Sequence, residues 1–164
     1  MKYCPLVSIV TPSYNQGEFL EETINSVLDQ TYKNIEIIFH DDFSSDESLK
    51  VMEKYENVKI IKNAIRSKIG SFNQIKAYER AFTESKGDII FFLDSDDFFS
   101  KEKVKTIINK FDNNENLEAI FDLPILKLNQ KLKYKKNKKK TFQNYWPYIP
   151  PQSCISIRRK FFQE

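Results

Sequence analysis

One stretch constrains the fold more than any other. In Gly87-Asp88-Ile89-Ile90-Phe91-Phe92-Leu93-Asp94-Ser95-Asp96-Asp97 an apolar run stops abruptly at three carboxylates within four residues. Ile89 to Leu93 shows no polar alternation, which predicts a strand covered on both faces, as in a parallel sheet flanked by helices. In open α/β sheets ligands sit beyond the carboxyl ends of the strands, so Asp94 and Asp96 stand where a ligand would be. Carboxylates this close repel unless a cation or a donor-rich ligand offsets the charge, and a divalent metal carrying phosphate oxygens suits them. Asp94-Ser95-Asp96-Asp97 also reads as a turn and N-cap opening the helix that follows.

The upstream chain repeats the pattern. Pro5-Leu6-Val7-Ser8-Ile9-Val10 is a first strand, closed by Pro12 within Thr11-Pro12-Ser13-Tyr14-Asn15, with Ser13 or Asn15 placed to start a helix. From Glu18 to Leu28 the apolar positions Phe19, Leu20, Ile24, Val27 and Leu28 make one helical face, and Glu18, Glu21 and Glu22 suit the positive end of the dipole. After a return loop, Gln30 to Asn34, the run Ile35 to His40 is a second strand that also ends in acids, Asp41-Asp42. Ser44 with Glu47 is a capping box for a helix through Tyr55, with Leu49 and Met52 inward. Val58 to Ile61 is a third strand, and Lys62 to Gly70 a basic loop facing the same edge. Ser71 or Asn73 opens a helix to about Glu84 with Ile75, Tyr78, Ala81 and Phe82 on one face and Gly87 as its C-terminal cap. A helix from Lys101 to Phe111 follows the acidic strand end, with Val104, Ile107, Ile108 and Phe111 inward. Strand and helix alternate throughout, which predicts a largely parallel sheet with right-handed crossovers.

Beyond Asn116 the pattern changes. Leu117 to Leu123 reads as a further strand, Pro124 to Leu132 as an irregular or hairpin segment, and Trp146 to Pro151, with three prolines, as extended chain. Ser153 to Ile157 is a last strand, and Arg158 to Phe162 the first turn of a helix.

The 164 residues, 40% hydrophobic and 30% charged, suit one globular domain over 1–164. There is no apolar stretch of transmembrane length and no signal peptide, so the expected location is cytoplasmic or peripheral on the cytoplasmic face of a membrane. Cys4 and Cys154 lack the spacing of a zinc site and are read as free thiols. His40 is the only histidine and has no nucleophile elbow near it, which excludes a hydrolase triad and any mechanism built on several histidines. The net charge of +3 comes from the block Lys131 to Lys140. That block reads as a solvated loop, or as an attraction for anionic lipid or a phosphate-bearing acceptor. No basic helix or RNA-reading aromatic motif accompanies it, and nucleic acid is not an expected partner.

Three strand ends thus bring polar chemistry to one edge: Thr11 to Asn15, Asp41-Asp42, and Asp94 to Asp97, with Arg66 and Lys68 on the adjoining loop. A carboxylate can accept the imide proton of a pyrimidine, Tyr14 can stack on the ring, and a metal at Asp96 can neutralise a diphosphate. Neither a dinucleotide fingerprint nor a P-loop is present.

At these residues the chain resembles the family 2 glycosyltransferases of the GT-A fold. The resemblance is carried in order by Val7 to Asn15, Ser26 to Tyr32, Glu36 to Asp46 and Phe92 to Asp97, and covers residues 5 to 111 well and the rest loosely. It implies a GT-A-type, Rossmann-like α/β/α sandwich with a mostly parallel central sheet and antiparallel additions near the C-terminus. It also implies a nucleotide-diphosphate sugar donor, UDP-linked, a saccharide or lipid-linked acceptor in cell-surface polysaccharide or glycolipid synthesis, an Mn²⁺ or Mg²⁺ ion, and inversion at the anomeric carbon. By resemblance the donor-binding candidates are Thr11, Pro12, Tyr14, Asn15, Asp42, Arg66, Lys76, Asp94 and Ser95. Asp42 reads the base, Asp94 meets the ribose, Arg66 or Lys76 touches the diphosphate, and Asp96, with Asp94, holds the metal. Two departures stand out: Gln74-Ile75-Lys76-Ala77 where relatives often have Ala-Arg-Asn, and Phe43 where they commonly have Gly, which implies a turn of different shape. The family's general base lies beyond the strand at Ser153 to Ile157. It is therefore expected past Glu164, with 5–111 the donor-binding half, 117–164 an incomplete acceptor-side half, and Glu164 a weak candidate for the base. The alternatives are a nucleotide-sugar-binding module without turnover, and a sugar nucleotidyltransferase, which would need a glycine-rich basic loop that Thr11 to Glu18 does not supply.

Overall fold

The computed structural model describes residues 4–128, 131–134 and 152–162. Among the described residues eight strands and four α-helices follow in chain order: β1 Val7–Ser13, α1 Gly17–Leu28, β2 Ile35–Asp41, α2 Ser48–Met52, β3 Val58–Lys62, α3 Gly70–Glu84, β4 Ile89–Phe92, α4 Lys103–Asp112, β5 Ala119–Phe121, β6 Ile125–Leu128, β7 Lys131–Tyr134 and β8 Ile155–Arg158. Six of the strands form one sheet in the order β3-β2-β1-β4-β8-β5. β1 to β4 are mutually parallel, and β8 runs antiparallel to both β4 and β5. This is the expected mostly parallel sheet with antiparallel additions.

Alternation along the buried strands distributes side chains to two helical layers. Val7 and Ile9, Ile37 and Phe39, Ile89 and Phe91 pack with Leu20, Ile24 and Val27 of α1, Met52 of α2, and Val104, Ile107, Ile108 and Phe111 of α4. Val10, Ile38 and Ile90 point the other way, against Ala81, Tyr78 and Phe82 of α3. Strand order reverses between β1 and β4, because β2 and β3 lie on one side of β1 and β4 on the other. The crevice above that reversal is where an open α/β sheet binds its ligand.

Several expectations need correction. Pro12 does not close the first strand, which runs on to Ser13 in register with Asp41. Val7 N and Ser13 O bond toward β2, while Val10 O accepts from Leu93 on the β4 side. Pro12 therefore faces β4 after its register with β1 has ended at Phe92, and its missing N–H removes no ladder bond. Neither Ser13 nor Asn15 caps α1; Gln16 is its N-cap and supplies no side-chain bond. The free N–H groups of Gln16 and Gly17 donate instead to Ser48 Oγ (3.2 Å) and Asp46 Oδ2 (2.9 Å). The Ser44–Glu47 capping box does not form; α2 is a single short segment whose Ser48 N–H donates to Asp46 Oδ1.

Phe19, Leu28 and Ile75, read as inward, are exposed, and the buried positions of α3 are Asn73, Ala77 and Ala81. Gly87 is not a helix cap, since α3 ends at Ser85. It is required because a Cβ there would lie 2.5 Å from Ser8 N and Ser8 Oγ. Arg158 ends β8 rather than starting a helix, and Arg159–Phe162 is a 3₁₀ turn. Both arginines clamp the added strand to the sheet: Arg158 donates to Leu117 O and Phe111 O, and Arg159 to Gly87 O and Ser85 Oγ. The segment after Pro124 is a hairpin, β6 with β7, so the start of the lysine block is a strand. Its remainder, the Trp146 to Pro151 stretch and Glu164 lie outside the described residues. Among the described residues no helix is long and apolar enough to cross a membrane.

Candidate active site

The ends of β1, β2 and β4 form a rim with two poles. At the first, Asp42 follows β2 and is almost fully buried. Its Oδ1 accepts from Asn63 Nδ2 at 2.7 Å and its Oδ2 from Arg66 Nε at 2.7 Å. The Arg66 guanidinium also lies 3.5 Å over the ring centre of Tyr14. Tyr14, Asp42 and Arg66 therefore meet at this pole, where Arg66 pairs with the residue expected to read the base, and Asn63 joins them. Arg80 reaches Asn63 Oδ1 from α3 and extends the chain of contacts. A ligand ring stacking on this face of Tyr14 must take the place of the guanidinium.

Asn15 is spent differently. It adopts φ 52°, its Oδ1 accepts from Ser45 N at 2.8 Å, and its N–H donates to Ser44 Oγ. It braces the turn after β2 against the end of β1. That turn has Phe43 at φ 64°, in the left-handed region that favours glycine, and the exposed Phe adopts it nonetheless, so the expectation that Phe43 moves the backbone away from a glycine-type turn is not met. Thr11 and Pro12 are buried, and among the described residues Thr11 Oγ1, Ser13 Oγ and Asp41 Oδ1 find no partner, which leaves unsatisfied polar atoms directly behind the rim. Lys76 is exposed, pairs with Glu79 and lies 5.9 Å from the Phe72 ring centre; no described contact ties it to Asp42 or Asp94.

The second pole is the acidic turn. Asp94 is held twice: its N–H donates to Ser153 Oγ at 2.9 Å, and its Oδ1 accepts from Tyr78 Oη at 2.7 Å. Burial raises the Asp94 carboxyl above its ordinary value, the Tyr78 hydrogen bond opposes this, and the charges of Asp97 and Asp96 add to the rise. The Tyr78 phenol is itself pushed far up, chiefly by burial and then by Asp94, so it donates and does not ionise. Asp96 is exposed, and neither it nor Asp97 has a hydrogen bond or ion pair from its carboxylate among the described residues. Ser95 is buried, and its carbonyl, like that of Asp97, accepts from Thr23 Oγ1 (2.9 and 2.8 Å).

Thr23 belongs to a set of α1 residues that fix this turn from below. Ser26 Oγ accepts Phe99 N at 3.0 Å. Gln30, fully buried, donates to Ser26 O and Ser100 O and accepts Val104 N at 3.0 Å. On the other flank Lys103 pairs with Asp122 at 2.7 Å and donates to Ser153 O, which ties β8 to the same turn. Beside it burial, then Asp122, pushes the Cys154 thiol up to about 12. Tyr78, Asn63, Thr23 and Ser153 were not singled out as site residues from sequence. Thr23 alone left a signal: a polar residue on the helical face of Leu20, Ile24 and Val27.

Among the described residues no three His, Cys, Asp or Glu side chains gather into a complete metal cage. A pair of carboxylates at a strand end, one of them free of protein partners, suits a divalent ion that completes its shell with phosphate oxygens and water.

The description "Glycosyl transferase family 2" matches residues 8–164. The chain belongs to that family. Among its family 2 relatives, the poly(ribitol-phosphate) β-N-acetylglucosaminyltransferase TarP of Staphylococcus aureus is 37% identical over 116 residues, 68% of this chain and 35% of that protein. WfaP of Escherichia coli, a UDP-Glc:α-D-GlcNAc-diphosphoundecaprenol β-1,3-glucosyltransferase, is 37% identical over 107 residues, 63% and 40% of the two chains. In structure the chain is similar to S. aureus TarS 1–349 in complex with UDP-GlcNAc, with TM-score 0.77, 22% identity, and coverage of 96% of this chain and 46% of that one. It is similar also to the mannosyltransferase PcManGT of Pyrobaculum calidifontis in complex with GDP-Man and Mn²⁺, with TM-score 0.72, 14% identity, and coverage of 99% and 47%. The fold is thus that of the GT-A glycosyltransferases. The family 2 chain spans less than half the length of these relatives.

Proposed function

We propose that this family 2 chain binds the donor of a metal-dependent, inverting glycosyl transfer from a UDP-linked sugar to a saccharide or lipid-linked acceptor in cell-surface polysaccharide or glycolipid synthesis. The observation that carries the reading is the two-pole rim at the β1/β4 reversal, with the Tyr14 ring and the buried Asp42 carboxylate at one end and a carboxylate turn at Asp94 to Asp97 at the other. A nucleoside diphosphate has the same polarity, a flat hydrogen-bonding ring at one end and concentrated negative charge at the other.

In this reading Asp42 accepts the imide proton of the base while Tyr14 stacks on it, after Arg66 has left the ring. The displaced guanidinium carries its charge toward the diphosphate, which a planar donor fork suits. Thr11 and Pro12 border the base through their backbone, and Ser95 holds the turn that presents the acids. Asp94 meets a ribose hydroxyl through the carboxylate oxygen that Tyr78 leaves free, and Asp96, with Asp94 beside it, would hold the ion. That ion, Mn²⁺ or Mg²⁺, supplies neutralisation of the leaving diphosphate when bound. Inversion requires a base to take the acceptor proton on the face opposite the diphosphate, a role the proposal gives to no described residue. The WfaP and TarP acceptors support a lipid-linked or polymer acceptor. Peripheral contact with a membrane through Lys131 to Lys140 rests on that charge run alone.

Calorimetric titration with UDP, UDP-GlcNAc, UDP-Glc and GDP-Man, each with and without Mn²⁺, tests the proposal. UDP-linked donors are expected to bind with metal-dependent affinity, and Asp96→Asn to abolish that dependence. Unchanged metal dependence in Asp96→Asn would overturn the metal assignment, and equal binding of GDP-Man would overturn the choice of base.

A further inference from the structure

We infer that Tyr78 is a positioning residue for donor recognition: its hydroxyl fixes the Asp94 carboxylate so that the other carboxylate oxygen faces the ribose. The inference rests on the proposal that Asp94 meets the ribose.

The geometry favours a built clamp over an incidental bond. Asp94 is the one acid of the 94–97 turn that is anchored, and it is anchored from two elements. Ser153 takes its backbone N–H and Tyr78, from α3, takes Oδ1 at 2.7 Å. Asp96 and Asp97, two and three residues on, have no such restraint on their carboxylates among the described residues. Both lie near enough to bear on Asp94 electrostatically. An unclamped Asp94 would rotate away from that charge; a clamped one keeps its orientation before a ligand arrives. Tyr78 can hold the carboxylate because it is itself immobile. Its ring meets Phe92 edge-on with centroids 5.2 Å apart, and it packs in the cluster of Val10, Ile38, Ala81 and Ile90 beneath the rim. Phe92 ends β4 two residues before Asp94, so arm and target share one support. Restraint before binding lowers the ordering cost of binding, and its benefit is confined to ligands that use the restrained group.

That confinement supplies the test. The probes are UDP and 2′,3′-dideoxyuridine diphosphate, titrated calorimetrically against the chain with Mn²⁺ present. A hydrogen bond to a charged acceptor predicts a preference for UDP of about tenfold or more in the unaltered chain. Tyr78→Phe keeps the ring and removes the hydroxyl. It is expected to cut the preference to about threefold, mainly by weakening UDP, with dideoxy-UDP affinity nearly unchanged. Asp94→Asn is expected to abolish the preference. Phe92→Leu loosens the same packing and keeps the hydroxyl; it is expected to lower the melting temperature and leave the preference in place. If Asp94→Asn removes the preference and Tyr78→Phe retains it in full, the inference is overturned and the ribose reading stands. If Asp94→Asn retains it, the ribose reading itself fails. An equal loss in Phe92→Leu and Tyr78→Phe would assign the effect to packing and not to the hydroxyl, and would also overturn the inference.

Discussion

Gln30 holds the acidic turn in place without touching the site. Its fully buried side chain makes three bonds, two of them part-buried: Nε2 donates to Ser26 O at 2.9 Å and to Ser100 O at 2.8 Å, and Oε1 accepts Val104 N at 3.0 Å. Ser26 O lies among the last carbonyls of α1 and Val104 N in the first turn of α4, so one amide satisfies a C-terminal acceptor of one helix and an N-terminal donor of another. Gln30→Leu preserves most of the volume and strands all three backbone groups. At about 1–3 kcal/mol for each buried group left unsatisfied, with some recovery by water, the expected loss is roughly 3–5 kcal/mol. That is a large share of the ~5–15 kcal/mol that holds a domain together. For a chain of this length it corresponds to a fall in Tm of about 6–20 °C. Ser100 follows the acidic turn directly, so UDP affinity is expected to fall at temperatures where the variant is still folded. Urea denaturation followed by circular dichroism gives the stability, and titration with UDP gives the affinity. A loss below about 1 kcal/mol would show that water replaces the amide readily, and the account of Gln30 as a double cap would be wrong.

Two further perturbations test other parts of the structure. Phe43 holds φ 64° with 55% of its surface exposed, so Phe43→Gly removes strain at small packing cost and is expected to stabilise the chain by about 0.5–1 kcal/mol, measured by denaturation; a destabilised variant would mean that the ring makes contacts worth more than the strain. His40 is fully buried with neither ring nitrogen partnered among the described residues, and burial lowers its pKa from 6.5, only partly offset by Asp42. Between its lowered folded value and 6.5 the unfolded chain binds the proton and the folded chain does not, so stability falls as pH drops below 6.5. His40→Leu is expected to flatten that limb, the two denaturation curves diverging with a slope of at most about 1.4 kcal/mol per pH unit. Parallel curves from pH 7.5 to 5 would refute it.

The parts of the fold that were legible are those where burial is uniform along an element. Ile89 to Phe92 falls where its unbroken apolar run puts it, and the face of Val104, Ile107, Ile108 and Phe111 where its 3.6-residue period puts it, because both elements are covered by neighbours along their length. The same 3.6-residue rule misplaces Phe19, Leu28 and Ile75, since periodicity gives a helix an apolar stripe but not its width, and the sheet beneath α1 and α3 covers only part of it. The rim was legible for a different reason. Parallel crossover topology brings the carboxyl ends of β1, β2 and β4 to one edge, so Tyr14, Asp42 and Asp94 had to share that edge before any distance was known.

What topology cannot fix is the partner of each side chain. Asn15 and Asp42 both stand at strand ends with hydrogen-bonding groups, yet Asn15 closes on Ser45 while Asp42 takes Asn63 and Arg66, an outcome set by a left-handed backbone at Asn15 that sequence does not announce. Tyr78 was read correctly as inward and missed as a site residue. Its ring obeys the helical period, but its hydroxyl reaches past the ring to the far edge of the sheet, and only the registry of α3 against β4 decides that it stops at Asp94. Polar atoms carried on apolar side chains are therefore where a sequence reading of such a rim is least complete, since burial fixes where the carbon goes and the site determines what the oxygen must meet.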